Sequence, residues 1–466
     1  MDLWLRWWSV TRLLRPACSR YRTFLWMALA LAAMCIRPDL AGVTSLVRAL
    51  GLQAIAYDRL LDFFHSPALD PERLSRLWAS VVLKVFPNLF RANGRLVLLA
   101  DGIKVGKAGR KMPAVKKLKQ VESNTKPEFI FGHSCQAISV VAGAEGSAFA
   151  APLAARIHEG VVYSNRYRKT QPQKLLSLLD SLGIPSPVTL VADAYYACRS
   201  IARGLLAQDS HLISRVRINA VAYWPAEQPA KRRRGRPPVY GAKFKLRAVF
   251  DDPADWIEAK SPVYDEHDIT LRYRVLDLFW RPLGRKVRFV AVDHPTRGRI
   301  VLICTDLTMG ALEIVRLYGV RFKIELSFKH ALRVFGTYAY HFWMSGMKPL
   351  DRHRSGDQYL HRETAEYREA VTRKILAYHR HIQLGVIAQG LLQYLAVNAP
   401  AAVWASFGSW LRTIREGIPP SERVTALALR NALPEFLARK PEVAPLQKFI
   451  IQRIDAGRRE GALLSG

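Results

Sequence analysis

Residues 96–102 read Leu-Val-Leu-Leu-Ala-Asp-Gly, and residues 188–193 read Val-Thr-Leu-Val-Ala-Asp. Each is a short, almost wholly apolar run that stops at an aspartate. Such runs read as strands buried on both faces of a sheet. Open α/β sheets place their sites at strand ends of this kind. A carboxylate there is costly unless it is hydrogen-bonded, paired or bound to a cation. Asp101 and Asp193 are therefore the first candidate site residues. A turn or helix-cap role accounts for either one alone; two in neighbouring strands can share a divalent ion.

Working outward, Ser134–Ala142 and Ala148–Ile157 read as the next two strands. Gln171–Leu182 has helical periodicity, Cys198–Ala207 is a helix, and Leu212–Val216 is another strand. The order is three strands, helix, strand, helix, strand. One more helix completes a ribonuclease-H-like α/β unit, and the spacing predicts it only at Gly310–Val334. Residues 218–307 intervene and read as mostly β, in Phe244–Phe250, Ile269–Trp280, Val287–Val292 and Ile300–Thr305. The expected class is thus α/β, with the core interrupted by a β-rich insertion domain and flanked by helical N- and C-terminal regions. The predicted divisions are 1–92, helical and DNA-binding; 93–217, first part of the core; 218–307, insertion; 308–345, last core helix; and 346–466, helical.

Within the first division, Gly42–Leu50 and Gln53–Phe64 fit either a helix-turn-helix or an ordinary αα-hairpin. Phe24–Ile36 is apolar but too short to span a bilayer, and reads as a buried helix. Lys104–Lys126 reads as a long basic loop and Lys348–Arg362 as a flexible polar one. Leu384–Leu395 is apolar nearly all round, which implies deep packing or an oligomer interface.

Composition narrows the function classes. The chain has 466 residues, with 70 Lys and Arg against 38 Asp and Glu, a formal net charge of +32. So large an excess suits a polyanionic partner, nucleic acid before an anionic membrane. Five cysteines, widely spaced and without a Cys-x-x-Cys or Cys/His cluster, point away from disulfides and structural zinc. A reducing cytoplasm, with the protein associated with a bacterial nucleoid, is the expected setting.

In the late helix, Tyr318, Arg321, Glu325 and Lys329 are spaced by three, four and four, and so project from one face. Leu317, Val320, Ile324, Phe328 and Ala331 take the other side and are predicted to cover the sheet. A solvated amphipathic face is the plainer reading. Tyr318 and Arg321 beside a carboxylate make sense where a phosphate must be gripped next to a metal. Asp101, Asp193 and Glu325 are the expected catalytic and metal-holding set.

These residues together resemble the DDE transposases of the insertion-sequence-four type. The family pattern of Tyr, two residues, Arg, three residues, Glu is met by Tyr318, Arg321 and Glu325, and the long β-rich gap after Asp193 is similar to that family's insertion. The resemblance covers roughly residues 95–345. It departs at Leu332, where the family usually has a lysine; Lys329 and Arg333 lie nearby. The resemblance implies a ribonuclease-H-like core binding two Mg2+ ions, with Mn2+ able to substitute. One ion lowers the pKa of an attacking water or 3′-hydroxyl and the other stabilises the leaving oxygen. It further implies nicking at transposon ends, strand joining through a hairpin, insertion into target DNA, and a homodimer that pairs two ends.

Lys231-Arg232-Arg233-Arg234-Gly235-Arg236-Pro237-Pro238 resembles an AT-hook, a narrow extended segment for an A·T-rich minor groove; a solvated basic linker is the alternative. Arg234 and Arg236, with Tyr318, Arg321, Lys329 and Arg333, are the expected DNA-binding residues. Trp256 and Trp280 suit either an unpaired base or the core. Besides a cut-and-paste transposase, two further readings fit: a metal-dependent, structure-selective endonuclease on the same fold, and a non-catalytic DNA-binding relic.

Overall fold

The run at 96–100 lies at the centre of the five-stranded core. In the computed structural model, which describes residues 3–120, 127–143, 145–185, 187–227, 238–264, 266–353, 355–408, 418–439 and 444–457, it belongs to β1, Arg95–Gly106. Four more strands build the core: β2 (Phe129–Ala142), β3 (Phe149–Ile157), β4 (Val188–Ala192) and β5 (His211–Val216). Their order is β3-β2-β1-β4-β5, with β2 antiparallel to both neighbours and β1, β4 and β5 parallel. That order and sense are ribonuclease-H-like, as the element order predicts.

Alternation along the central strands sorts two cores. Leu96, Leu98, Ala100, Leu190, Ala192 and Leu212 face one cluster, with Leu175, Leu178 and Leu179 of α1 (Gln171–Ser181) and Ile201 and Leu205 of α2 (Arg199–Leu206). Val97, Leu99, Val191 and Ile213 face the other, with Ile314, Leu317, Val320 and Ile324. Both faces being covered explains why these strands show no polar alternation in sequence.

The β-rich segment is present, but it does not form a sheet of its own. β6 (Val221–Pro225), β7 (Tyr240–Lys245), β8 (Thr270–Trp280), β9 (Arg285–His294) and β10 (Gly298–Cys304) continue the core sheet in the order β7-β6-β8-β9-β10-β5. β10 pairs antiparallel with β5, Val301 opposite Val216 and Cys304 opposite Ile213. Without it, β5 would be an open edge with unpaired backbone groups. The strand expected at Phe244–Phe250 stops at Lys245. Leu246–Phe250 is a 3₁₀ turn that buries Leu246, Val249 and Phe250.

The closing helix is also not continuous. α3 (Ala311–Val320) and α4 (Phe322–Arg333) meet at a kink on Arg321. There the Arg321 N–H donates to Tyr318 O (3.1 Å) and the Ile324 N–H to Arg321 O (3.1 Å), both i→i−3 bonds of the tighter kind. Gly319 precedes the kink; a Cβ on it would stand 3.0 Å from Val263 Cγ1.

The helical ends close over β3. α5 (Ala365–Asn398) packs on β3 and on Tyr21–Ile36, and every residue of Leu384–Leu395 except Tyr394 is buried within this chain. The interface expected of that stretch is therefore an internal one. Buried Arg156 ties these layers, donating to Gln383 Oε1 (2.9 Å) and to Pro71 O (2.9 Å). No single helix among the described residues is long and apolar enough to cross a membrane. Gly42–Ala49 and Ile55–His65 form the expected helix pair. The second helix buries Ala56, Leu60, Phe63 and Phe64 and turns Asp58, Arg59 and Asp62 outward. Two outward acids favour the αα-hairpin over a helix that enters a DNA groove. The loop expected to be flexible at 348–362 is instead pinned: Gln358 and Tyr359 pair with Val161 and Val162, and Lys116 Nζ lies 2.8 Å from Asp357 Oδ1.

Candidate active site

Register brings the two aspartates side by side. Ala100 pairs with Ala192 across the parallel β1–β4 ladder, so Asp101 and Asp193 are the next residues on each chain. Adjacent strands stand about 4.8 Å apart. Both aspartates follow the parity of Leu99 and Val191, and so emerge on the face covered by α3 and α4.

Each carboxylate is oriented by backbone. The Gly102 N–H donates to Asp101 Oδ1 (2.7 Å), and the Tyr195 N–H donates to Asp193 Oδ1 (3.0 Å), which caps the 3₁₀ turn Ala194–Tyr196. Ser214 Oγ on β5 donates to Asp193 O (2.7 Å), locking the strand end.

The kinked helix supplies the third acid. Ile324 and Val320 are buried against the sheet, so Arg321 and Glu325 come over its edge. Arg321 Nη1 donates to Asp101 Oδ2 (2.8 Å), and Nη2 donates to Glu325 Oε1 (2.6 Å). One guanidinium thus bridges two carboxylates that are remote in sequence. Its plane lies near the Tyr318 ring, 5.9 Å from the centroid.

The electrostatics follow from crowding. Burial pushes the Asp101 carboxyl up to about 6; Arg321 pulls it down, while Asp193 and Glu325 push it up. Burial works against the Arg321 charge, yet Asp101, Tyr318 and Glu325 together hold its pKa above the ordinary value. Both shifts describe the same site: desolvation and two further carboxylates outweigh one guanidinium at Asp101. Burial raises Tyr318, with Arg321, Arg215 and Asp193 around it. Burial also raises Tyr196, whose hydroxyl accepts from Gln136 Nε2 (2.8 Å).

Asp101, Asp193, Glu325, Arg321 and Tyr318 therefore come together. Lys329 and Arg333 continue the same helix face past Glu325, both exposed, and Leu332 is 39% exposed beside them. Arg234 and Arg236 lie outside the described residues. Trp280 is core, and Trp256 packs on Phe250 with its indole N–H donating to Asp252 O, so neither offers a free stacking face. Arg215, Ser214 and the Gln136–Tyr196 pair were not foreseen; a polar residue inside an apolar strand is the only signal that Ser214 and Gln136 give.

Among the described residues no three of His, Cys, Asp or Glu stand at metal-ligating distances from one another. The guanidinium lies between two of the acids instead. The donor set nonetheless fits a hard divalent cation: three carboxylates, no soft ligand, and one carboxyl destabilised by the others. Glu325 is 56% exposed, its Oε1 held by Arg321 Nη2 at 2.6 Å.

A family model described as DDE superfamily endonuclease matches residues 14–277. The chain belongs to the DDE superfamily of endonucleases. The match takes in Asp101 and Asp193 and ends before the helix that carries Glu325. Among solved structures, a cryo-EM structure of a piggyBac transposase synaptic complex with hairpin DNA is similar at a TM-score of 0.38 and 10% identity, covering 94% of this chain and 80% of that one. No curated protein matches in sequence.

Proposed function

We propose that this DDE endonuclease is a cut-and-paste DNA transposase of the insertion-sequence-four type, acting as a homodimer on paired transposon ends. The observation that supports the reading is that Arg321 bridges Asp101 and Glu325 where Asp193 stands on the neighbouring strand end, in a chain of net charge +32. Asp101 and Asp193 are held rigidly by strand ends and backbone N–H groups, and Glu325 arrives on a helix whose apolar side is fixed to the sheet. When bound at these carboxylates, Mg2+ or Mn2+ supplies activation of the attacking oxygen and neutralises charge on the leaving one.

The chain's own residues do the rest. Arg321 turns from Asp101 and Glu325 to the scissile phosphate, where a guanidinium makes bidentate bonds. Tyr318 holds the plane of that guanidinium, and Lys329 and Arg333 carry the neighbouring phosphates along the helix. Charge complementarity with the DNA backbone accounts for the basic excess.

The test is a duplex carrying the element's own terminal sequence, incubated with purified protein and Mg2+ or Mn2+. Nicking at the end, followed by joining of the freed 3′-end to a second duplex, is expected. Cleavage without any joining, and without benefit from paired ends, would favour a structure-selective endonuclease.

A further inference from the structure

A second feature lies outside the carboxylate cluster. Between β3 and α1 the chain runs Tyr163-Ser-Asn-Arg-Tyr-Arg-Lys169, interleaving rings and cations. Tyr167 is 87% exposed and Tyr163 48% exposed. Holding a tyrosine ring almost wholly in water forfeits the burial that usually accounts for an aromatic residue. This segment walls an open cavity of about 470 Å³, whose lining includes Tyr163, Tyr167, Arg168, Lys169 and Lys174.

The cavity's acids are already matched. Asp357 pairs with Lys116 (2.8 Å) and Arg168 (2.8 Å), and Glu159 lies 3.7 Å from Lys116. That leaves Lys169 and Lys174 in surplus, so the cavity is positive as well as aromatic. Lys174 donates to the His158 backbone carbonyl, and its charge is weakened by burial.

A short chain of contacts joins this cavity to the candidate active site. His158, on its wall, bonds through Nδ1 to Gln136 Oε1, and Gln136 Nε2 donates to Tyr196 OH (2.8 Å). The Tyr196 hydroxyl stands 3.7 Å from where a Cβ on Gly102 would lie, next to Asp101. Tyr195, 58% exposed and two residues from Asp193, lies within electrostatic reach of both Glu159 on the cavity wall and Asp193.

Resting on the proposed DNA-cleaving function, we infer that this cavity is a subsite for an unpaired nucleotide of the DNA strand leaving the carboxylate cluster. Its base stacks on Tyr167 and Tyr163 and its phosphates lie on Lys169 and Lys174, the cations that Asp357 and Glu159 leave over. Ring faces accept any base, and the alternating cations follow the backbone, which is how single strands are held without sequence readout. A rigid duplex does not enter a pocket of this size without unpairing.

The experiment compares two probes on the full chain in EDTA, which withholds divalent ions: a blunt terminal duplex, and the same duplex with a three-nucleotide unpaired extension carrying 2-aminopurine. Wild type is expected to prefer the extended probe and to quench its fluorescence. In Tyr167→Ala the ratio of the two affinities falls roughly five- to tenfold and the quenching is lost. Tyr167→Phe retains both, because the ring stays. Equal preference in wild type and Tyr167→Ala overturns the subsite while leaving cleavage at the carboxylates standing. Failure of the wild type to bind either probe overturns both the subsite and the nuclease reading on which it rests.

Discussion

Replacing Arg321 by alanine tests whether its guanidinium holds the place of a cation. The side chain makes two charge-assisted bonds, 2.8 Å to Asp101 and 2.6 Å to Glu325, and they are unequal. Glu325 is 56% exposed, so that i,i+4 pair contributes only about 0.3–0.5 kcal/mol. Asp101 and Arg321 are 16% and 18% exposed, where a bond to a charged group contributes about 1.5–3 kcal/mol. Protonation limits the loss. A carboxyl titrating at about 6 is neutralised at pH 7 for about 1.4 kcal/mol. In EDTA at pH 7, Arg321→Ala should therefore be less stable by about 1–2 kcal/mol, not more. A divalent ion then meets no competitor between the acids, and displacing one such contact is worth about a tenfold change in affinity. Titration calorimetry with Mn2+ and no DNA should show tighter binding in Arg321→Ala than in wild type. Melting in EDTA and in Mn2+ gives a second readout, because ligand binding to the folded form raises stability. DNA cleavage by the variant should fall, since the phosphate loses its bidentate partner. Mn2+ affinity equal to or weaker than that of wild type would refute the idea of a surrogate cation, whatever happened to cleavage.

Asp193→Asn keeps the oxygen that caps the 194–196 turn, so folding should change by less than about 1 kcal/mol; end binding in a gel-shift assay should persist while cleavage is abolished, and retained cleavage would remove Asp193 from the site. Lys329→Ala should weaken end processing less than Glu325→Ala, because Lys329 is exposed beyond the acids; equal losses in a cleavage time course would give Lys329 a direct part in the reaction. Burial holds the Lys107 ammonium down to about 7 from an ordinary 10.5. Its folded pKa being lower than its unfolded one, the unfolded chain binds more protons between those values, and stability rises as pH climbs from about 7 towards 10.5. Urea melts across that window should show the rise, and Lys107→Met should flatten it; an unchanged slope would assign the proton to another group.

Much of the core was legible because its strands are buried on both faces. Val188–Ala192 was bounded correctly from its apolar run, and the aspartates at 101 and 193 stood out as charges where no charge is cheap. Tyr318, Arg321 and Glu325 were legible as one helical stripe. Several features were not, each for a physical reason. The kink at Arg321 lies next to the close approach of Gly319 to Val263, a contact distant in sequence. Leu246, Val249 and Phe250 mimic a strand in composition, but Leu246 and Val249 stand three apart, which suits one side of a 3₁₀ turn. The segment at 348–362 looks like a loop because its partners, Val161 and Lys116, lie far away in the chain. The bridge from Arg321 to Asp101 needs the tertiary fold, and local periodicity predicts only its i,i+4 half.

The continuous sheet bears on how Glu325 finds the aspartates. A long insertion between the second acid and the third could leave the last helix loosely placed. Here the return strand β10 zips against β5, the neighbour of the strand that ends in Asp193. The Thr305 N–H then donates to Leu212 O, and buried Asp306 accepts from Asn93 Nδ2 (3.0 Å) and the Thr308 N–H (2.9 Å). Arg95, the first residue of β1, lies 3.4 Å from the same carboxylate. The start of α3 is thereby fixed to the strands that carry both aspartates, and only the kink separates that anchor from Glu325. The insertion's length is then immaterial to the site's geometry. Its last strand is not: Ile303→Pro on β10, which removes a backbone donor in the β9–β10–β5 ladder, should disturb Glu325 more than a deletion within residues 228–237. Hydrogen exchange on α3 and α4 would separate the two variants, and equal protection in both would mean that the helix is placed by its own packing on Leu99 and Val191 instead.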